Sequence, residues 1–436
     1  MAEIAPLTPL RFDLSKLPGG LSDVVAPPYD VIDDAQKQAL KARHSNNVVR
    51  LILPDGEGDA RYGEAARVLG DWRDQGVLVR DNEPAFYRYD QTFLPPDGGK
   101  TGITRRGFLA LVKLHPFSDR VVLPHERTLS GPKEDRLKLF RATKTNLSPG
   151  FMLYRDPRGE LEAPLESGHV VTEFATADGI HHVLAKVTAR DAIRAIVDGV
   201  AKSSLLIADG HHRYETALRY RDEVGAAAGT ESRYFMVFLV NGDDPNLVVF
   251  PTHRHVHSLA SFSFDDLTTR AADTFVVRAL AAGISAEAAT RELAVAGKVG
   301  PSFCVLAKGG RAALLTLRGD VDLSKHPTLG DKPEVLRKTD VAILHGGVLE
   351  ALLGITPEMQ AAKSNIWYAQ DARGASAELE AGKGQALFLM NATPVGQVRD
   401  VAEAGEVMPQ KSTFFFPKVL TGLAIHTLDP ERTVAR

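Results

Sequence analysis

The sequence predicts a mixed α/β (α+β) protein, and three segments carry that prediction. A short apolar segment at residues 205–208 is followed by a glycine turn and then by the spacing of an amphipathic helix. A continuous apolar run at residues 234–241 is typical of a central strand covered on both faces. Alternating segments at residues 85–93 and 105–112 flank a Pro- and Gly-rich turn at 95–99, which predicts a hairpin.

The strand–turn–helix segment at residues 205–217 carries the strongest indication of a functional site. Asp209 and Gly210 interrupt the apolar run, since glycine tolerates the angles of a tight turn and aspartate is a favoured helix N-cap. The helix N-terminus that follows suits an anion, above all a phosphate. Arg213 lies on the predicted inward face, so it needs a protein carboxylate or a ligand anion as its partner.

Each of these side chains also has a simpler interpretation. Asp209 alone could be a helix cap, and His211 and His212 could be solvated. Because these three residues and Arg213 gather around one helical turn, we favour a binding site.

The composition limits the possible function classes. With 436 residues the chain is too long for one ordinary core, and two or three domains are expected. The net charge of −3 provides no polybasic field, which argues against nucleic-acid binding. The sequence shows no signal peptide and no membrane-length apolar segment, so we expect a cytoplasmic protein. Cys304, the single cysteine, lies in an apolar segment and is predicted to be a core residue.

The first hundred residues are predicted to form an extended arm and an α/β region. Residues 24–32 contain two adjacent prolines and should be extended; they either pack across the domain or line a pocket with Tyr29 and Asp30. Residues 46–54 predict a strand, and residues 61–76 have helical apolar spacing. Arg105 and Arg106 begin the second hairpin strand, where an arginine pair is usually a solvated edge.

A second polar group follows the strand predicted to end near residue 124. His125 and Glu126 stand there, before a helix expected at about residues 133–144. Enzymes of the α/β class place catalytic groups at such strand ends, and Arg106 is a candidate to face Glu126. Alternatively, Glu126 pairs with Arg127 or Lys133 at the surface.

Residues 247–257 predict another strand, on which three histidines alternate at positions 253, 255 and 257. They would share one face, but without a carboxylate partner a metal site is not favoured. We instead expect Thr252, His253 and Arg254 to form part of a pocket wall.

The last third of the chain predicts a separate α/β region. Helices are expected at residues 261–280, 285–296 and 341–353, a hairpin at 302–317 and a strand at 386–390. Lys411, Ser412 and Thr413 resemble part of a phosphate loop, but the glycines of a P-loop are missing before them. This loop either lends its polar groups to an anionic ligand or is a polar turn before an aromatic anchor.

The motif DGHHRYETA at residues 209–217 resembles the second motif of the ParB/sulfiredoxin superfamily, and its Asp-Gly-His-His-Arg form is closest to the free-serine kinase branch. Over nearly the whole chain, VVAPPYDVI, NVVRLILP, VLPHERTLSGPKEDR and IADGHHRYETAL resemble the family filed as domain of unknown function 1015. The resemblance implies a ParB/sulfiredoxin-like mixed-sheet core at residues 101–258, flanked by α/β regions at 1–100 and 259–436.

The resemblance further implies a nucleotide-dependent phosphotransferase that uses ATP or ADP with Mg²⁺. The acceptor would be a small hydroxyl-bearing metabolite, for example a free amino acid such as serine. Asp209 would hold the metal, Glu126 would be the base on the acceptor hydroxyl, and His211 would assist. The groups expected to hold nucleotide phosphates are Gly210, His211, His212, Arg213, Thr252, Arg254, Lys411, Ser412 and Thr413. The groups expected to contact the acceptor are Tyr29, Asp30, His125 and Arg106.

Two other functions stay open at this stage. One is a ParB-like regulator that binds or hydrolyses a nucleotide without acting on a small molecule. The other is a structural protein whose motif residues join domains. The sequence shows neither a helix-turn-helix pattern nor a basic face, so DNA binding is not indicated. It predicts no particular oligomeric state.

Overall fold

The computed structural model describes residues 1–95, 101–128 and 130–435, with only the backbone of Ser130 and Pro132. Most of the turn predicted at residues 95–99 lies outside these residues. The strands are β1 (Ile4–Ala5), β2 (Leu10–Phe12), β3 (Leu78–Arg80), β4 (Phe86–Phe93), β5 (Ile103–Lys113), β6 (Val122–Leu123), β7 (Thr145–Asn146), β8 (Gly150–Tyr154), β9 (His169–Ala175), β10 (His181–Val187), β11 (Leu205–Asp209), β12 (Tyr234–Asn241), β13 (Val248–Phe250), β14 (His253–Val256), β15 (Phe275–Ala279), β16 (Ser302–Ala307), β17 (Arg311–Leu317), β18 (Ile366–Ala369), β19 (Ala386–Met390), β20 (Phe414–Phe416) and β21 (His426–Thr427).

The α-helices are α1 (Asp34–Arg43), α2 (Val49–Ile52), α3 (Ala60–Asp74), α4 (Ser130–Thr143), α5 (Glu162–Glu166), α6 (Arg190–Val200), α7 (His211–Glu223), α8 (Phe264–Ala271), α9 (Ala286–Ala296), α10 (Glu334–Arg337), α11 (Asp340–Ala342), α12 (Pro357–Ala362), α13 (Ala372–Glu380) and α14 (Val395–Glu403). A π-helix, Ile343–Glu350, continues directly from α11. In the described parts of the chain, none of the helices has both the length and the apolar character needed to cross a bilayer.

Contacts along the chain define two compact units. The first comprises residues 1–124, 128–248 and 417–436, and the second comprises residues 125–127 and 249–416. The first unit therefore contains strands from both sides of residue 100. The domain boundaries drawn from the sequence at residues 100 and 258 stay a prediction.

The first unit is built on a large mixed sheet. Within the described residues it has nine strands, in the order β6-β11-β8-β12-β5-β4-β10-β9, with β1 added beside β5. Strand β12 runs parallel to β8 and antiparallel to β5, and its first seven residues are buried. The predictions of a central strand at residues 234–241 and of a β4–β5 hairpin are both confirmed.

The two faces of this sheet differ in chemistry. One face packs against α6 and α7, with Phe108, Val237 and Ile207 from the strands among the core residues. The strand register brings Phe238 opposite Phe151 and, through a shift in pairing after Ile207, brings Asp209 opposite Phe151. Such an irregularity re-aims a side chain at the end of a strand. Asp209 therefore belongs with the aromatic face and not with the helix-covered face.

The second unit contains an antiparallel sheet in the order β15-β17-β16-β19-β14-β18. Leu293 of α9 and Leu379 of α13 pack with Cys304 and Leu389 of the strands in one core. The prediction that Cys304 is a buried core residue is confirmed.

Three element predictions were wrong, and a fourth was wrong in part, because Tyr29–Val31 of the segment expected to be extended form a 3-10 helix. Residues 46–54 contain helix α2 and no strand, because the Asn47 side chain holds the start of a helical turn. Its Oδ1 accepts from the Val49 N–H at 3.0 Å, and its Nδ2 donates to the Asp23 carbonyl at 2.8 Å. Residues 261–280 form α8 followed by β15, whose edge pairs with β17. Residues 247–257 form two short strands, because Pro251 cannot donate to a ladder. A short apolar run does not by itself distinguish a buried helix from a strand.

Candidate functional site

The site predicted at residues 209–213 is a strand end joined to a helix by one glycine. Strand β11 ends at Asp209, and Gly210 takes φ = 93° as the N-cap of α7. The predicted capping role of Asp209 is therefore wrong, because the left-handed residue that precedes the helix is the glycine. A Cβ on Gly210 would lie 3.0–3.1 Å from three atoms of the Arg213 guanidinium. The positive φ favours glycine here, and the close approach of Arg213 leaves little space for a Cβ.

Arg213 folds back beneath this turn. It is 5% exposed, as predicted for the inward face. Its Nη1 donates to the carbonyl of Pro149, and its Nη2 lies 3.9 Å from Asp209 Oδ1. The required partners are thus a backbone carbonyl and a carboxylate at the limit of ion-pair distance. In the same turn His211 is buried and His212 is half-buried, and both make contacts within the protein.

Tyr29 lies in the electrostatic neighbourhood of Arg213. Its ring stacks under Arg136, whose Cζ is 4.1 Å from the ring centroid. Burial raises the pKa of the Tyr29 hydroxyl, as does Asp30, whereas Arg136 and Arg213 act in the opposite direction. Asp30 is exposed. The structure thus associates Tyr29 with Arg136 of α4 and with the charge of Arg213 at the turn.

Lys418 is a residue of this site that sequence reasoning missed. Its Nζ lies 2.9 Å from Asp209 Oδ2, and the two side chains are 19% and 21% exposed. The backbone of the lysine is held as well, because Gln91 Nε2 donates to the Lys418 carbonyl at 3.0 Å. The separation of 209 residues between the two charges leaves no local signal from which this pairing could be predicted.

Arg105 is fully buried on the same face of the sheet, although the sequence pattern predicted a solvated edge. Its Cζ lies 4.8 Å from the Phe151 ring centroid and 5.4 Å from that of Phe238. Its Nη2 donates to Gln91 and, at 2.6 Å, to the Pro417 carbonyl, while Nε and Nη1 have no hydrogen-bond partner among the described atoms. Burial lowers the pKa of Arg105 to about 9, opposed by Tyr89 and Asp209.

Arg106 has a surface role in the structure. It pairs with Asp90 at 3.1 Å, Glu162 at 3.0 Å and Glu166 at 2.8 Å. Partial burial acts to lower the pKa of Arg106, but these carboxylates raise it above its ordinary value. Arg106 belongs to the first unit and Glu126 to the second. The contact between Arg106 and an acceptor stays a prediction.

In the second unit Glu126 is bound by the loop of residues 411–413. The N–H groups of Ser412 and Thr413 both donate to Glu126 Oε1, at 3.0 and 3.4 Å. Lys411, just before them, has φ = 58°, and successive N–H groups in such a turn form a concave anion site. Of the two alternative partners that the sequence suggested, Lys133 contacts Glu215 at 2.6 Å and Arg127 is exposed.

The same loop has further buried support. His125 is fully buried, and its Nε2 lies 2.9 Å from Thr413 Oγ1. Arg254 is 1% exposed; its Nε contacts His345 Nε2 at 3.1 Å, and its Nη2 donates to the Lys411 carbonyl at 3.2 Å. Burial lowers the pKa of Arg254 to about 10 and that of His345 to about 3. These groups form the interior of the second unit.

Thr252 and His253, the remaining predicted site residues of the second unit, are both buried. Thr252 is 3% exposed, and its Oγ1 has no hydrogen-bond partner in the described structure. His253 Nδ1 accepts from the Met390 N–H at 3.1 Å, and burial lowers its pKa to about 4. His255 is buried and His257 is half-buried. Over residues 1–95, 101–128 and 130–435, no group of three or more His, Cys, Asp or Glu side chains is arranged to hold a metal.

The family comparison agrees with the motifs in both units. The model described as "Protein of unknown function (DUF1015)" matches residues 4–342. This chain belongs to the DUF1015 family. The match includes the Asp209 turn and Glu126 and ends before Lys411 and Lys418. No curated protein matches the sequence.

Several solved structures are distantly similar to this member of the DUF1015 family. A mutant of a free serine kinase in complex with ADP is 13% identical, covering 68% of this chain and 84% of that one, with a TM-score of 0.34. A conserved hypothetical protein from Pyrococcus furiosus is 15% identical, with coverages of 68% and 87% and a TM-score of 0.34. SbnI with a C-terminal truncation, from Staphylococcus aureus, is 11% identical, with coverages of 73% and 87% and a TM-score of 0.35.

Proposed function

We propose that the protein is a nucleotide-dependent phosphotransferase with a ParB/sulfiredoxin-like core, acting on a small hydroxyl-bearing metabolite. The observation that carries the proposal is the turn at Gly210. A left-handed glycine joins Asp209 to the N-terminus of a 13-residue helix that has no acidic residue in its first turn, and Arg213 folds back beneath it. A helix N-terminus offers N–H groups that the helix does not use, together with a partial positive charge.

This arrangement fits what phosphoryl transfer needs from a protein. The reaction depends on positioning and on neutralising charge more than on covalent chemistry. The first-turn amides of α7 would hold phosphate oxygens, with Gly210 allowing a close approach of the backbone. Asp209 would hold Mg²⁺, a hard cation that prefers carboxylate oxygens. Arg213, His211 and His212 would support the negatively charged ligand.

The acceptor side of the proposal rests on fewer contacts. Tyr29, beside Arg136 and within the field of Arg213, is the acceptor-binding candidate best placed near the turn. Glu126 as general base is a separate part of the proposal. Its carboxylate accepts two backbone N–H groups, which hold the side chain in one orientation.

A turnover assay tests the phosphotransferase. The full chain is incubated with ATP or ADP, Mg²⁺ and a panel of hydroxyl-bearing metabolites that includes serine, and phosphorylated products are identified by mass spectrometry. Asp209→Ala should reduce turnover by about 10²-fold or more if the carboxylate positions the metal. The matched control is Asp59→Ala, which removes a carboxylate paired with Lys138 on the surface and should leave turnover within about twofold.

A second function is favoured by the state of Glu126. Because its carboxylate is already bound by the 411–413 loop, the residue could serve the fold of the second unit alone. The protein would then be a regulator that binds or hydrolyses a nucleotide. Nucleotide binding without phosphorylation of any acceptor, together with unchanged nucleotide turnover in Glu126→Gln, would support this function and exclude the first.

A further inference from the structure

The Asp209 carboxylate, the proposed metal ligand, also forms an ion pair with Lys418. The ammonium of Lys418 lies 2.9 Å from Asp209 Oδ2. A Mg²⁺ ion binds carboxylate oxygen at about 2.0–2.1 Å, so an ammonium on the same oxygen would compete for its lone pairs and repel the ion. A metal on Asp209 therefore weakens this ion pair and makes the Lys418 ammonium available to an anionic ligand.

The backbone around Lys418 is fixed while its side chain is partly exposed. Gln91 binds the Lys418 carbonyl at 3.0 Å, and Arg105 binds the preceding Pro417 carbonyl at 2.6 Å. Both anchoring side chains come from the large sheet, on neighbouring positions of β4 and β5. The lysine can thus change partner by rotating its four-carbon side chain without moving the chain that carries it.

A second, independent observation indicates a negatively charged ligand at this face. Arg105 is fully buried with Nε and Nη1 unpaired in the described structure, and it stacks on Phe151, the residue that Asp209 faces across the strands. A buried guanidinium without a carboxylate contact is costly, and the nearby positive charge favours an anion beside it. The N-terminus of α7 contributes a partial charge of the same sign.

We propose that Lys418 is a phosphate-binding residue, which neutralises Asp209 in the unliganded protein and transfers to the nucleotide phosphates when Mg²⁺ binds Asp209. This inference rests on the proposed function and deepens it. It makes nucleotide affinity depend on metal through one ion pair. Without Mg²⁺, Asp209 retains the lysine and repels phosphate; with Mg²⁺, the lysine is released to the ligand.

Binding of ADP to the full chain, measured by calorimetry with Mg²⁺ and again with EDTA, tests the exchange. Lys418→Met should weaken binding of Mg²⁺–ADP by about 10- to 100-fold, the usual effect of losing a charge-assisted hydrogen bond. Lys418→Arg should retain most of the affinity. The control is Lys113→Met, which removes a lysine of the first unit that pairs with Glu3 at 2.8 Å and should leave ADP binding unchanged.

The Asp209→Asn variant should change ADP affinity in the opposite direction to Lys418→Met. In EDTA it should bind ADP more tightly than the wild type, because Lys418 is no longer held by a carboxylate, and Mg²⁺ should add little. Adding Lys418→Met to Asp209→Asn should abolish this gain. This arm also decides the matter if Lys418→Met alone fails to fold, as judged by circular dichroism.

The outcomes separate the two proposals. Equal Mg²⁺–ADP affinity in wild type and Lys418→Met, or no gain for Asp209→Asn in EDTA, overturns the exchange and leaves the proposed function standing. A wild type that binds neither ATP nor ADP under either condition overturns the proposed function and the exchange together.

Discussion

Replacing Gly210 with alanine should destabilise the first unit through two separable effects. The first is backbone strain, because an L-residue at φ = 93° is unfavourable by about 1–3 kcal/mol. The second is local, because the new Cβ would meet the Arg213 guanidinium at 3.0–3.1 Å. Arg213 must then shift, which weakens its bond to the Pro149 carbonyl and adds roughly 1 kcal/mol or more.

Gly229 provides the matched control. It lies in the same unit with φ = 82°, and a Cβ there would meet no atom within 4 Å. Gly229→Ala should therefore show the backbone effect alone, of about 1–3 kcal/mol. The difference between the two variants reports the contact with Arg213. In an Arg213→Ala background that difference should disappear, since the Cβ then has space.

The assay can be confined to the first unit. The chain has two tryptophans, of which Trp72 is buried in α3 of the first unit and Trp367 is 44% exposed in the second. In a Trp367→Phe background, tryptophan fluorescence during urea unfolding reports on Trp72 alone. If Gly210→Ala proves no more destabilising than Gly229→Ala, Arg213 does not occupy the space beneath the turn and the description of the site is wrong.

Three further predictions concern His182, Cys304 and Glu126. Burial lowers the pKa of His182 from 6.5 to about 4. Between these pH values the unfolded chain binds a proton that the folded chain does not, so the free energy of unfolding should fall by up to about 3 kcal/mol as the pH drops from 6.5 to 4. His182→Phe should flatten this pH dependence when unfolding is followed by Trp72 fluorescence. Burial raises the pKa of the Cys304 thiol to about 12, so a thiol reagent should modify it only upon unfolding, and rapid labelling of the native protein would contradict its place in the core. Glu126→Ala leaves the Ser412 and Thr413 N–H groups without their acceptor and should destabilise the second unit by about 1–3 kcal/mol. Glu126→Gln retains an acceptor oxygen and should lose clearly less stability. Equal losses of stability in the two variants, followed by Trp367 fluorescence in a Trp72→Phe background, would argue against the loop contact.

The sequence predicted the elements whose signals are local. The run at residues 234–241 is apolar on both faces, which is typical of a strand whose two faces are both covered by packed layers. The break at Gly210 is equally local, because one residue supplies the left-handed conformation. The inward position of Arg213 followed from helical spacing alone.

What the sequence did not predict depends on partners distant along the chain. Residues 46–54 were expected to be a strand, but a buried Asn47 binds carbonyls at residues 23 and 25 and holds the helical turn α2. The Arg105–Arg106 pair was interpreted as a solvated edge. Strand alternation instead brings Arg105 to the Pro417 carbonyl and Arg106 to the buried Asp90 and the exposed Glu162 and Glu166. Neither set of partners is visible in a local window.

The two anion-binding patterns of the sequence show why a pattern alone does not identify a ligand. The 411–413 loop was expected either to bind an anionic ligand or to be a polar turn, and in the second unit its N–H groups bind the carboxylate of Glu126, which the chain itself supplies. At the Asp209 turn the chain also supplies a carboxylate, but here it is joined by Lys418 and Arg213 and lies on a face where Arg105 keeps two unpaired donors. In the 411–413 loop the neutral backbone N–H groups already have the Glu126 carboxylate as their acceptor, so no further anion is needed there. The pattern at the Asp209 turn combines cations with an unsatisfied buried guanidinium, and a polyanion with its metal would complete it. For that reason the search for a nucleotide should begin at Gly210 and Lys418 and not at the loop that more closely resembles a phosphate loop in sequence.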